Sequence, residues 1–539
     1  MTVSRQSRLS ARFQCLTKGA SSRSLGACPA PVPPQNEDRL RSRASLQTAM
    51  TLPMRLNPIL HVLGLMLTSL AVIMAIPALA EQAMTGQMPY EFIFSAFFCA
   101  TVGLFATFAT RDNQPFSLDV RQAFLLTALS WIVLPIFAAL PLMGLGLSPE
   151  IGLNFTDAVF ETVSGMTTTG STVITGLDDL LPGLLLWRSL LQWIGGVGII
   201  VMAIIMLPFL RIGGMQLFKT ESSDKSEKII PQAATMVKWI MAVYAGLTLL
   251  ATAVFMLTGM GGFDAINHAM TALSTGGYST HDASFGYFTD MPTQWAGTIF
   301  MLAGGLPFIS YIKFVRGHRR PFLSDPQITT FLKFLGVVII TMTIWLMLRQ
   351  DIGLMAALTM TAFNVVSVVT TTGYASADYT TWGPAAVAAF FILTFVGGCA
   401  GSTSGAIKIY RFQVLWVTMR EQLLRLSSPN RVVVMRYHGS RLPADLPVSV
   451  LAFLAVFLAS VIVVTVLLAL LEVDFVTALT AATTAVTNVG PGLGEIVGPS
   501  GNFASLPDAA KWVLSFAMLL GRLEVFTLLL LFDPHFWRE

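Results

Sequence analysis

The stretch FNVVSVVTTTGYASADY, Phe363–Tyr379, decides how this chain is read. It opens as an apolar helical segment, then turns into three threonines, a glycine and an aromatic. Nearly the same string stands earlier, FETVSGMTTTGST at Phe160–Thr172, and both follow F-x-x-V-S-x-x-T-T-T-G. Two looser copies complete a set: LSTGGYS at Leu273–Ser279 and TNVGPGLG at Thr487–Gly494. Aligned on Gly170, Gly276, Gly373 and Gly490, the copies recur about every 100 residues, the mark of an internal repeat.

The surrounding composition places these turns in a membrane. Of 539 residues 54% are hydrophobic and 12% charged, with a mean hydropathy of +0.69, whereas a soluble domain carries about 25% charged residues. Runs of about 20 apolar residues are long enough to span a bilayer. Ten occur, near 57–79, 90–110, 123–146, 182–210, 238–260, 293–315, 329–349, 383–412, 448–472 and 510–532. Four segments, near 151–176, 262–281, 353–377 and 474–494, are too polar to span and too apolar for loops. The fold expected is an all-α membrane protein: ten transmembrane helices, two of them N-terminal extras. The other eight form four tandem helix–pore-loop–helix repeats around a single pseudo-fourfold pore.

The basic residues give the sidedness. None lies between Gly144 and Leu181, Gly259 and Trp295, Ile352 and Ile407, or Val473 and Ala510. The opposite loops carry Arg211, Lys219, Lys225, Lys228 and Lys238, then Arg316, Arg319 and Arg320, then Lys408 through Arg441. All four turns are therefore expected on the non-cytoplasmic side, with both termini cytoplasmic. Glu161, Asp157, Asp178, Asp264, Asp282 and neighbouring acids on that side are expected to concentrate cations. Residues 1–54 are Arg- and Ser-rich and hold PAPVPP. They read as a disordered tail or as sequence preceding a start at Met50 or Met54. The remaining boundaries expected are 55–112 for the two extra helices and 113–216, 217–317, 318–430 and 431–539 for the repeats.

Non-helical backbone at membrane depth is tolerated only where protein or a watery cavity satisfies its carbonyls. Four such turns about one axis would present rings of carbonyls able to replace the hydration shell of a small cation. The ligands expected come from Thr168, Thr169, Gly170 and Ser171; Ser274, Thr275, Gly276 and Gly277; Thr371, Thr372, Gly373 and Tyr374; and Asn488, Val489, Gly490 and Pro491. Each preceding half-helix would aim its negative C-terminal end at the ion. The alternative is that Gly and Thr only pack helices; four copies at one period, all on one side, favour a pore.

A second feature interrupts the eighth span. GGCAGSTSGAIK sets Gly397, Gly398, Gly401 and Gly405 beside Ser402, Thr403 and Ser404. Each helical glycine costs about 1 kcal/mol against alanine, so the helix either breaks here or forms a tight helix-crossing surface. Arg522 lies inside the last span, where a charge is a functional candidate; pairing with Glu524 or snorkelling is its alternative. Arg188 snorkels or pairs with an outer carboxylate. Lys408 touches the glycine run or marks the membrane boundary.

At these residues the chain resembles the TrkH-type subunits of the Trk/Ktr/HKT potassium-uptake superfamily, from about residue 55 to its end. Beside the four turns, the matching stretches are WRSLLQWIGGVGIIV (Trp187–Val201), GGCAGSTSGAIKIYRF (Gly397–Phe412) and GRLEVFTLLLLF (Gly521–Phe532). The resemblance implies K⁺ as the transported ion, bound at the filter positions named above. It implies a glycine in every filter turn; plant relatives with serine at the first favour sodium, where this chain has Gly170. It implies a gate at Gly397–Lys408, with Arg522 in the ion path beside it. It further implies a homodimer in the bacterial inner membrane and a cytoplasmic nucleotide-binding regulator of the TrkA type. No P-loop or dinucleotide fingerprint appears in the chain itself. The rival readings are a K⁺ symporter driven by H⁺ or Na⁺ and the potassium-binding subunit of a P-type ATPase complex.

The sequence points to no organic cofactor, nucleic-acid partner or enzyme chemistry. His61, His268, His281, His318, His438 and His535 lack metal-ligand spacing, and the cysteines (Cys15, Cys28, Cys99, Cys399) form no framework. Asn154-Phe155-Thr156 matches a glycosylation sequon by chance. Asp157, Asp264 and Asp474 stand at the starts of short helices, where capping explains them as well as ion attraction does.

Overall fold

Capping acids and prolines punctuate the apolar runs, and the helices start where they stand. The computed structural model describes residues 55–111, 118–146, 152–206, 229–428, 430, 434–437, 440–443 and 445–538. All of these except Arg538 belong to one unit, Met54–Trp537. The expectations for residues 1–54 fall outside the described residues, apart from the boundary itself. Asp325 accepts the Gln327 N–H ahead of Pro326, and Asp474 accepts the Thr477 N–H. Asn154, in the sequon, caps its helix by accepting the Asp157 N–H at 2.8 Å.

Two helices precede the repeats. α1 (Asn57–Ile73) continues into α2 (Ala75–Thr85), and α3 (Tyr90–Ala109) returns alongside. α1 and α3 cross where Gly64 and Gly103 meet: a Cβ on Gly103 would sit 2.8 Å from the Gly64 carbonyl oxygen.

Four units of one design follow: long helix, short helix, turn, inner helix. They are α4 (Val120–Ala138), α5 (Phe155–Met166) and α6 (Pro182–Met206); α7 (Ile229–Leu257), α8 (Gly262–Leu273) and α9 (Met291–Gly304), continued by α10 (Phe308–Val315); α11 (Pro326–Gln350), α12 (Leu354–Val369) and α13 (Pro384–Thr394), resumed after a loop as α14 (Ile409–Ser427); and α15 (Leu446–Leu470), α16 (Phe475–Thr487) and α17 (Asp508–Arg522), followed by the short helix Phe526–Leu529. Among the described residues the only strands form a two-residue hairpin, Arg436–Tyr437 with Ser440–Arg441.

Three of the ten expected spans are not straight. α9 and α10 meet at 95° across Gly305–Pro307, where Pro307 supplies no N–H to continue the helix. α17 and Phe526–Phe532 meet at 106°, with Glu524 at φ 53° in the joint. The stretch expected as one span over 383–412 ends its helix at Thr394 and resumes it at Ile409. Among the described residues, seven helices are long and apolar enough to cross a membrane, or nine counting each bent pair as one. α13, with 11 residues, is too short to cross alone.

The apolar core lies in two bodies either side of the turns. One packs α1–α6 against α15–α17 through Phe92, Trp187, Phe160, Phe457 and Leu514. The other packs α7–α13 through Phe255, Phe285, Phe331, Phe363 and Phe390. Buried threonines in the short helices return their hydroxyls to the carbonyl one turn back, as Thr162, Thr271 and Thr361 do. Their polarity is thus satisfied without water.

The Gly64–Gly103 crossing gives a first test. Gly103→Leu should force α1 from α3 and cost about 1–3 kcal/mol. The check is a lower thermal unfolding midpoint of the purified protein in detergent; an unchanged midpoint refutes the crossing.

Candidate functional site

The short helices α5, α8, α12 and α16 each end directly in a glycine turn, and the four turns share one backbone pattern. Thr168, Thr275, Thr371 and Asn488 take φ of 52°, 53°, 59° and 56°. Two residues on, Gly170, Gly277, Gly373 and Gly490 take φ of 88°, 78°, 82° and 109°. Between them, the N–H groups of Thr169, Gly276, Thr372 and Val489 reach back five residues to Ser164, Thr271, Ser367 and Thr484 at 2.8–3.2 Å. This register corrects the sequence alignment in the second unit. Gly277, not Gly276, is the counterpart of Gly170.

These dihedrals are costly. A left-handed conformation costs a non-glycine residue about 1–2 kcal/mol, and such strain persists only where surroundings over-determine it. Left-handed residues at every second position turn successive carbonyls toward one side, where an ordinary strand would alternate them.

The turns close into a ring. A Cβ on Gly170 would lie 2.2 Å from the Gly276 carbonyl oxygen; on Gly277, 1.9 Å from that of Thr372; on Gly373, 2.0 Å from that of Val489; and on Gly490, 2.7 Å from that of Thr169. Each unit's glycine therefore abuts the next unit's second carbonyl, and the fourth returns to the first. Four segments far apart in sequence meet about a single axis.

The next side chain of each turn braces the preceding unit. Ser171 donates to the Gly490 carbonyl at 2.9 Å, and the Tyr278 hydroxyl to the Glu161 carbonyl at 2.7 Å. The Tyr374 hydroxyl bonds Thr271 and the His268 carbonyl, and Pro491 packs beside Gly373. Behind the first two turns lies a buried ion pair, Arg188 Nε to Glu161 Oε1 at 2.9 Å. Glu161 also accepts the Val173 N–H, Arg188 donates to the Ser279 carbonyl, and the guanidinium sits 4.2 Å over the Tyr278 ring. Arg188 thus pairs rather than snorkels.

One end of the ring opens to a mouth lined by Gly170, Ser171, Tyr278, Asp282, Gly373 and Pro491, among others. Several of the acids on this side have partners. Asp157 takes Lys511 at 2.5 Å, and Asp282 accepts the Gly176 and Leu177 N–H groups. Asp264 accepts the Thr280 hydroxyl, and Asp474 caps α16. His281 Nδ1 donates to Asp178 Oδ1 at 2.5 Å and holds that carboxyl below its ordinary pKa. His268 is buried, with its ring nitrogens against the Asp264 carbonyl and the Ser279 hydroxyl.

The other end is occupied by the loop 395–408. Val396 and Ile407 pair at its neck. Its tip touches three of the turns at their starts. Thr403 bonds the Leu273 carbonyl at 3.0 Å and the Thr275 hydroxyl at 3.2 Å. The Gly405 N–H donates to the Thr371 hydroxyl at 2.7 Å, and the Ala406 N–H to the Thr487 carbonyl at 2.9 Å. Gly405 has no room for a side chain, since a Cβ would lie 2.5 Å from the Thr487 carbonyl. Thr168 Oγ1 and Asn488 Oδ1, the corresponding atoms of the other two turns, are buried and find no hydrogen-bond partner among the described residues.

Two cations reach this loop. Arg522, buried, donates from one terminal nitrogen to the Thr403 carbonyl at 2.9 Å. Lys408 donates to the Ser404 carbonyl. Glu524, offered as the alternative partner of Arg522, binds Arg411 instead at 2.9 Å. Gly397, Gly398, Gly401 and Ser402 complete the loop: the Gly397 N–H bonds the Ile407 carbonyl and the Gly401 carbonyl accepts the Phe308 N–H. The Gly398 N–H bonds the Ser404 hydroxyl, and Ser402 caps Cys399. The run GGCAGSTSG is a break, not a helix-crossing surface.

Sequence reading passed over Gln192, which binds the Gly276 carbonyl at 2.7 Å and the Tyr278 N–H at 3.0 Å. The available signal was its place four residues after Arg188, on the same face of α6.

This chain is similar to known proteins over nearly all the described region. The TrkH family model, described as a cation transport protein, matches residues 89–538. The Trk system potassium uptake protein TrkI of Halomonas elongata is 49% identical over 90% of this chain and 98% of its own. The Trk system potassium uptake protein TrkH of Escherichia coli is 35% identical over 90% of this chain and 100% of its own. The crystal structure of the potassium transporter TrkH from Vibrio parahaemolyticus superposes with a TM-score of 0.81 at 32% identity, covering 90% of this chain and 100% of that one.

The ion pair behind the turns gives a second test. Arg188→Leu leaves the Glu161 carboxylate buried and unpaired, a change that costs about 3–5 kcal/mol. Thermal unfolding in detergent should show the loss, and Glu161→Gln/Arg188→Leu together should recover part of it.

Proposed function

The chain belongs to the TrkH family of cation transport proteins, and on that premise we propose that it takes up potassium through the ring of four turns. It is a multi-pass membrane protein. In this reading K⁺ sheds its water and passes single file among carbonyls of Thr168–Thr172, Ser274–Tyr278, Thr371–Ala375 and Asn488–Gly492. The four-unit boundaries given above frame this pathway. The observation that carries the reading is the closed circuit of glycine-to-carbonyl contacts, from Gly170 round to Gly490. Buried backbone oxygens about an axis, most of them unclaimed by protein donors, suit a desolvated monovalent cation. C-terminal ends of four short helices add negative potential there.

The loop 397–408 is the gate in this proposal. It takes the Thr275 and Thr371 hydroxyls at the inner end of the ring while Arg522 sets a positive charge beneath it. Both would hinder a cation until the loop withdraws. The distribution of Lys and Arg supports turns facing outward and both termini in the cytoplasm of a bacterial cell. A homodimer and a cytoplasmic nucleotide-binding regulator of the TrkA type complete the proposal. The direct test is rubidium flux into proteoliposomes: flux that follows the K⁺ gradient alone supports conduction, and strict dependence on an imposed H⁺ or Na⁺ gradient refutes it.

Two variants separate the parts. Gly373→Ser places a Cβ 2.0 Å from the Val489 carbonyl oxygen, so the ring must shift. Discrimination of Rb⁺ from Na⁺ should fall about tenfold, the equivalent of 1.4 kcal/mol; unchanged discrimination at normal expression counts against the filter. Deleting 398–405 removes the plug but leaves the Val396–Ile407 neck, so flux without a partner should rise. A folded deletion with unchanged flux removes the gate.

A further inference from the structure

The four turns are not equal at their second position. Thr169 and Thr372 bond their own turns through the hydroxyls of Thr167 and Thr370, at 2.7 and 2.8 Å. Val489 fills the place with a buried apolar side chain. Gly276 has no side chain there, and the vacant volume is taken by Gln192 reaching in from α6: a Cβ on Gly276 would lie 2.4 Å from the Gln192 amide carbon.

The Gln192 amide is used at both ends. Its nitrogen donates to the Gly276 carbonyl at 2.7 Å, and its oxygen accepts the Tyr278 N–H at 3.0 Å. These bonds straddle Gly277, whose φ is 78°. Both peptide planes flanking that residue are therefore pinned. The Gly276 carbonyl is also the one that abuts Gly170 in the ring. Its counterparts on Thr169, Thr372 and Val489 accept no hydrogen bond from a described residue.

The inner helices of the second and fourth units, α9 and α17, lack such a group. Gly195, Gly304 and Gly521 mark one level, each pressed on a carbonyl at the end of its unit's short helix: Met166, Leu273 and Val486. Three residues earlier stand Gln192, Met301 and Met518. The two methionines offer no amide.

We propose that Gln192 is a specificity-positioning residue, whose amide fixes the direction of the Gly276 carbonyl in the ring of second carbonyls. The proposal rests on the reading of the four turns as the ion filter. A carbonyl oxygen has two lone pairs. One is spent on Gln192 and the other remains for the ion, at an angle the amide dictates. Without the amide the peptide can rotate, and the site loses its preference for one ionic radius.

The test is Rb⁺ uptake and Na⁺ competition in proteoliposomes of the full-length protein. Gln192→Glu keeps the shape and removes the donor; Gln192→Leu keeps the bulk and removes both bonds. Both should conduct, with Rb⁺-over-Na⁺ discrimination lowered about tenfold and the loss falling on apparent KM rather than maximal flux. Gly276→Ala should block flux alone and regain it in Gln192→Ala/Gly276→Ala, where the space has been cleared. Wild-type discrimination in both Gln192 variants overturns the proposal. So does normal assembly with no conduction, which assigns Gln192 to scaffolding, or a Gly276→Ala defect that persists without the glutamine. Gly373→Ser in the same assay separates the two ideas: if it too spares discrimination, the filter reading falls; if it alone spoils discrimination, only the role of Gln192 falls.

Discussion

Everything in this structure answers to a distance too short for a carbon atom. Where the turns meet, a Cβ on any of four glycines would stand 1.9–2.7 Å from a carbonyl oxygen of the adjoining unit. That contact sets the radius of the ring. It can be held only if each turn stays in an expensive conformation, so the rest of the unit is a brace. The short helix ends at the turn, the fourth side chain leans on the neighbour, and the inner helix closes behind.

The bracing is polar at a depth where unpaired polar groups are costly. The Glu161–Arg188 pair, the Tyr278 and Tyr374 hydroxyls and the Gln192 amide all bond backbone rather than one another alone. A buried ion pair adds little net stability. This one ties α5, α6 and the first two turns to one guanidinium, which makes it a fixture for geometry. The loop 395–408 follows the same economy. Its backbone is held through Gly305, Thr487 and the Thr371 hydroxyl.

How much of this the sequence discloses depends on what each feature writes into the chain. The four turns were legible because T-T-T-G and its variants recur at a fixed period between apolar runs. The break in 383–412 was legible from its glycines, and the membrane placement from hydropathy. The second turn's register was not: Ser274-Thr275-Gly276-Gly277 offers two glycines, and only the backbone hydrogen bonds choose between them. The bend after Arg522 was hidden because Leu523-Glu524-Val525 contains no helix breaker. The bend at Pro307 was there to read. Glu161 looked like a mouth acid because counting charges on a side ignores which face of a helix each one takes. Gln192 was silent, as any lone amide in an apolar helix is until its partner is known.

The four quadrants of the ring come from one polypeptide and are not worded alike: Thr-Thr-Gly in the first and third, Thr-Gly-Gly in the second and Asn-Val-Gly in the fourth. Identical subunits arranged about an axis must repeat any alteration on every side. Here a change can be written once. The second quadrant borrows an amide from a neighbouring helix and, with the third, lends a hydroxyl to the loop, and the fourth supplies an asparagine. Carrying all four quadrants in one chain exchanges rotational symmetry for division of labour, so the ring can be tuned from a single corner.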